Sequence, residues 1–202
     1  MANANRPAGF IPVQYLNGAP WNGQARTYSI PAAYTTALYI GDPVISGGSA
    51  DANGVPTVAL GAATGALRGV IVGIGQGETD IANIVNPNIT YRPAAAQAAD
   101  WFCLVVDDPN VLFEIQENAG TQQLAAADIG LNTVPILAAG NGFVSGWTLA
   151  SYTDATPATT ATLQLRLMGL VRRQQNAFGA YAKHLVQINV HELAHGTGAA
   201  GV

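Results

Sequence analysis

Charge is what this sequence has least of. Only 10% of its 202 residues are Asp, Glu, Lys or Arg, against roughly a quarter in an ordinary globular domain. Lys183 is the sole lysine, Cys103 the sole cysteine, and aromatic residues make up 7%. No apolar run approaches the ~20 residues that span a bilayer as a helix. The Glu/Lys-rich heptads of a coiled coil are missing. Disorder requires low hydrophobicity and high net charge, and a chain that is 49% hydrophobic with net charge −4 has neither. The same mild acidity provides no basic field for nucleic acid. One cysteine excludes an internal disulfide. Cys103 lies in the apolar run Phe102–Val105 and reads as a buried thiol, as in a protein folded in a reducing cytoplasm. Residues 1–7 carry no basic n-region or apolar h-region, so no signal peptide is expected.

What fills the space is Ala, Thr, Asn and Gln, punctuated by 23 glycines and 11 prolines. Short β-rich runs lie between these breakers. Residues 8–16 read as an extended entry segment, 17–20 as a turn, and 21–30 as a polar segment ending at Ile30. Strands are expected at 37–40, 44–46 and 68–74, with a loop over 46–56. Trp101–Val106 and Val111–Gln116 flank the turn-forming Asp107-Asp108-Pro109-Asn110, which predicts a β-hairpin. On its second strand Val111, Phe113 and Ile115 share a buried face, with Glu114 and Gln116 on a wetter one. Residues 121–129 are the best helix candidate, with Thr121 as N-cap and Gly130 as stop. Residues 148–162 read as loop, while 162–171 and 184–193 alternate as strands. The fold class is therefore mainly β: an antiparallel sandwich or barrel with an extended N-terminal arm and at most one short helix. Residues 1–22 form the arm, 23–195 one β-domain, and 196–202 a flexible tail.

Several motifs invite a chemical reading. His191-Glu192-Leu193-Ala194-His195 matches the H-E-x-x-H pattern of zinc peptidases, in which a helix stacks two imidazoles on one ion and the Glu is general base. The run into it has strand period, and residues four apart on a strand are roughly 13 Å from each other. Two glycines follow and no third ligand lies downstream, so these read as polar side chains at a strand end. Gly73-Ile74-Gly75-Gln76-Gly77 resembles a phosphate loop, but acidic residues follow it where a helix N-terminus is needed. Asp107 and Asp108 read as turn formers before they read as paired catalytic carboxylates. Arg172-Arg173 is a basic spot, solvated or at an interface. No catalytic residue, metal ligand or cofactor site is assigned.

Several segments together resemble the capsid decoration, or cement, proteins of tailed-bacteriophage heads. They are Met1-Ala2-Asn3 with Gly9-Phe10-Ile11-Pro12-Val13, then Tyr39-Ile40-Gly41-Asp42-Pro43-Val44 and Ala52-Asn53-Gly54-Val55-Pro56-Thr57-Val58. Further on come Asp107–Glu117, Ala161–Arg166, Leu185–Asn189 and Gly196-Thr197-Gly198. The resemblance implies a jelly-roll-like structural protein, not an enzyme, made in the bacterial host cytoplasm and bound to the outside of the head. Its partners would be the major capsid protein and itself, as dimers or trimers over symmetry axes, with no nucleic acid, membrane or cofactor. Arg6, Phe10, Tyr15 and Trp21 of the arm, with Arg172 and Arg173, are the candidate interface residues, because aromatics and Arg anchor interfaces. The few arginines should map to joints, and the acidic residues should face water. The other readings are a receptor- or sugar-binding module of a head fibre and, more remotely, a small zinc metallopeptidase using residues 191–195.

Overall fold

The computed structural model describes residues 3–76, 88–194, 198, 200 and 201. The chain is mainly β, with several antiparallel sheets. Fourteen strands are described: β1 Ile11–Tyr15, β2 Arg26–Ile30, β3 Leu38–Tyr39, β4 Pro43–Ala50, β5 Pro56–Leu60, β6 Gly69–Gln76, β7 Tyr91–Arg92, β8 Trp101–Val106, β9 Val111–Gln116, β10 Asn132–Thr133, β11 Pro135–Ile136, β12 Thr148–Leu149, β13 Leu165–Leu170 and β14 Lys183–Ile188. Five close a barrel in the order β2-β5-β4-β6-β8, and five form an open sheet in the order β1-β9-β14-β13-β10. Within the barrel only the β2–β5 contact is parallel. Two small pairs, β11-β12 and β3-β7, complete the structure.

Two apolar cores follow from strand alternation. On β8, Trp101, Cys103 and Val105 point into the barrel, where they meet Tyr28, Ile30, Val44, Val58, Ile71 and Ile74. The next residue, Val106, points the other way. With Val70 it joins Val111, Phe113, Ile115, Leu165, Leu167 and Val186 in the seam between barrel and sheet. Cys103 is wholly buried, and burial pushes its thiol up, far from a reactive thiolate.

The hairpin expected at 101–116 does not form. Both strands occur at the predicted residues, but β8 pairs with β2 and β6 while β9 pairs with β1 and β14. A strand has two hydrogen-bonding edges, and here each strand's edges are taken by others. Residues 107–110 thus carry the chain from barrel to sheet. The crossing is held by Asp107, whose Oδ2 accepts the Tyr28 hydroxyl at 2.7 Å and lies 3.5 Å from Arg26.

The helix expected at 121–129 is reduced to a single 3₁₀ turn, Ala126–Asp128. Leu124 is drawn into the seam core, and its amide donates to Glu117 Oε1 at 2.8 Å instead of to a helical carbonyl. The segment read as polar through Ile30 contains β2, whose Tyr28 and Ile30 face the barrel interior. β4 runs to Ala50, through residues expected to be loop.

The N-terminal segment lies against its own chain. β1 is hydrogen-bonded to β9, and Phe10 meets Phe113 edge to face at 6.1 Å. Gly9 and Gly41, both at positive φ, let two backbone segments cross in contact. A Cβ on Gly9 would stand 2.3 Å from the Gly41 carbonyl oxygen. Of 196–202, Gly201 is described as buried, its amide donating to the Thr159 carbonyl.

Candidate functional site

The outer face of the open sheet gathers three of the six sequence-predicted residues, Arg6, Arg172 and Arg173. Glu114 on β9 is registered with Leu185 on β14, and Gln116 with Lys183. These alternate with Phe113, Ile115 and Val186, which face the seam, so they lie on the opposite face. The 171–182 connection between β13 and β14 and the segment 3–6 fold over this end of the face. Glu114 is 5% exposed and Gln116 3%, so the face expected to be wet is covered.

The covering is held by amide side chains. Asn176 donates to the Val171 and Lys183 carbonyls and accepts the Lys183 amide at 2.9 Å. Asn3 donates to the Ala177 and Ala180 carbonyls and accepts the Ala177 amide. Gln116 accepts the Arg6 amide at 2.7 Å and donates to Asn5 Oδ1 at 2.9 Å. Chain ends distant in sequence are thereby fixed around one carboxylate.

That carboxylate, Glu114, is paired with Arg173 and, at 3.2 Å, with the Lys183 ammonium. Arg6 and Arg172 are exposed nearby. Desolvation, reinforced by the Arg173 and Arg6 charges, lowers the Lys183 pKa. Among the described residues, four cations (Arg6, Arg172, Arg173 and Lys183) and one acidic residue (Glu114) stand here, so the face is +3. Beside the cations runs a groove of about 750 Å³. Its apolar lining comes from Val13, Met168, Leu170, Phe178 and Leu185, and Arg172 stands at its rim.

The aromatic candidates fare differently. Phe10 is 1% exposed and belongs to the seam core, so its ring offers no contact surface. Tyr15 and Trp21 are half-buried against the same core. Tyr15 donates to Asn22 Oδ1 at 2.8 Å, and the Trp21 indole donates to the Gln24 carbonyl at 3.2 Å. The arginines are not all at the surface either. Arg92 is fully buried, donating to the carbonyls of Pro31, Ala32 and Pro93 and lying over the Tyr34 ring. Nor do all acidic residues face water: Asp42, Asp107, Glu114, Glu117 and Asp128 are buried. Each has a partner that makes burial tolerable. Asp42 accepts the Tyr39 amide at 2.9 Å, Asp128 the Ala125 amide at 2.8 Å, and Glu117 lies 3.0 Å from His184 Nε2.

A second cluster sits where barrel and sheet meet. His191 and Glu192 come beside Arg68, Tyr28 and the Asp107-Asp108 turn, at a cleft of about 560 Å³ lined by Gln24, Arg26, Asp107, Asp108 and Leu193. His191 Nδ1 accepts the Leu193 amide at 3.0 Å, and burial lowers its pKa to about 4. Glu192 accepts the Ser46 amide and lies 3.6 Å from Arg68. β14 ends at Ile188, and Glu192–Ala194 make one 3₁₀ turn. The α-helical turn that would stack residues 191 and 195 on one ion is therefore not formed through 194, and His195 lies outside the described residues. No group of three or more His, Cys, Asp or Glu side chains placed to hold a metal occurs among the described residues. Gly73–Gln76 continue β6 as strand, and Gly77 lies outside the described residues. No described helix is long and apolar enough to cross a membrane.

No protein-family model matches the chain, and neither a curated protein nor a solved structure is significantly similar to it.

Proposed function

We propose that this chain is a virion structural protein, a capsid decoration protein that binds the outside of a tailed-phage head. It would stabilise the shell by bridging neighbouring major capsid subunits, with further copies of itself as dimer or trimer partners. The observation that carries this reading is the gathering of Arg6, Arg172 and Arg173 on one rigid sheet face beside an apolar groove. A clamp needs a stiff platform and several weak contacts, because each contact after the first is intramolecular. The β-rich body and its hydrogen-bonded cover supply the stiffness. The low charge suits a surface that neighbours cover, since charges are depleted where interfaces are driest.

The test is co-sedimentation of the purified protein with expanded shells lacking it. Binding, with a rise in shell melting temperature, is expected. No association with any capsid state overturns the proposal.

A second reading, the receptor- or sugar-binding module, is favoured by one feature. Phe143 is 71% exposed and borders a hollow of about 270 Å³ with Tyr91, Pro93 and Trp101. Aromatic faces of this kind can stack on sugar rings. A monomer that binds host-surface glycans and ignores shells would favour that module.

A further inference from the structure

We infer that the groove on the outer sheet face receives an extended polypeptide segment in which carboxylates alternate with bulky apolar side chains. The inference rests on the decoration reading only for which protein carries that segment.

Charge argues for the carboxylates. Among the described residues, neither Arg6 nor Arg172 has a carboxylate partner, while Arg173 and Lys183 share the single Glu114. Four cations around one acid repel one another, and the Arg173 and Arg6 charges add to the desolvation that lowers the Lys183 pKa. An incoming carboxylate would relieve the repulsion and could meet the exposed Arg172 fork in a bidentate bond. The apolar half follows from the lining. Val13, Met168, Leu170, Phe178 and Leu185 line most of it with carbon and one thioether, Gln14 being the uncharged polar side chain beside them, and Met adapts its shape to what it packs against. Phe178 is 40% exposed on the loop that Asn3 and Asn176 tie down. Pre-fixed loops lower the ordering cost of binding.

Extended nucleic acid fits less well. The chain as a whole is net −4, and the field of a +3 cluster reaches only ~8 Å at physiological salt. A polyanion longer than the groove would leave these four cations behind, whereas a short acidic segment would not.

The probe is a fluorescein-labelled peptide of alternating Glu and Leu, followed by anisotropy with the full chain. Alternating Lys-Leu and Glu-Ser peptides and a single-stranded oligonucleotide serve as comparisons. Glu-Leu should bind best, and about tenfold more weakly when salt rises from about 50 to 200 mM. Arg172→Glu should weaken it about tenfold through charge, and Leu185→Glu by a similar factor through loss of the apolar seat. Arg6→Glu gives an independent charge test, and circular dichroism checks that each variant folds. No binding of Glu-Leu, preference for the oligonucleotide, or binding unchanged by Arg172→Glu and Arg6→Glu would each overturn the inference. The two proposals fail separately. Shells bound with the peptide ignored removes the groove inference alone, and peptide bound with shells ignored removes the decoration reading alone.

Discussion

Two buried titratable groups pull stability in opposite directions over the same pH window. Asp42, buried but held by the Tyr39 amide and Ser145, has its pKa raised from 3.8 to about 6 by desolvation. Between those values the folded chain keeps a proton that the unfolded chain has released. Its stabilising contribution is full below pH 3.8 and is lost as pH rises through 6. His191 is the converse: burial lowers it from 6.5 to about 4, so the unfolded chain takes up a proton first. Stability from this residue is present above pH 6.5 and is lost as pH falls towards 4. Denaturant titrations at several pH values separate the two. The stability of the wild type relative to Asp42→Asn should fall by at most about 3 kcal/mol between pH 4 and 7. Relative to His191→Asn, whose amide oxygen can still accept from Leu193, it should rise over that range. At the same scale, residue type alone indicated Arg6, Arg172 and Arg173, but not Glu114 or Lys183. The clue was there: Glu114 alternates out of phase with Val111, Phe113 and Ile115, and Lys183 is the sole lysine. Neither says what stands opposite, which only the β9–β14 pairing decides.

Strand boundaries were more legible than strand partners. Alternation tells which face of a segment is apolar, and it placed β8 and β9 at their observed residues. It carries no information about which neighbour fills each edge, so 107–110 passed for a hairpin turn. The helix at 121–129 failed for a related reason. Intrinsic propensity is a weak determinant even for alanine, the best helix former, and burying Leu124 while pairing its amide with Glu117 outweighs it. Backbone crossings leave even less trace in a pattern of hydrophobicity. Gly9→Ala combines a positive φ with a collision against Gly41 and should cost about 3 kcal/mol or more by thermal melting. Asn176→Ala removes three hydrogen bonds from the β13–β14 connection. It should leave the melting temperature nearly unchanged while speeding amide exchange across 171–183, read by mass spectrometry.

Across the whole molecule, the mainly β class was readable from turn frequency and short alternating runs. The division into a closed barrel and an open sheet was not, since it depends on long-range pairing. The two cores are not independent, because adjacent residues of β8 serve both. Val105→Ala opens space in the barrel and Val106→Ala in the seam, each costing about 2 kcal/mol. Both variants should lower one shared calorimetric transition. Two separated transitions would mean that barrel and sheet unfold independently.

The ties around Glu114 also set an order of events. Asn3 finds its partners 174 and 177 positions further along the chain, and β9 needs both β1 and β14 as neighbours. A growing chain leaving the ribosome can close its barrel once β8 has emerged, but it cannot build the basic face until β14 follows. Loop closure over such distances is slow, so the barrel should be the earlier product of folding. The basic face is then the last part to assemble, and a chain released before β14 would lack both that face and the part of the seam core that β14 completes.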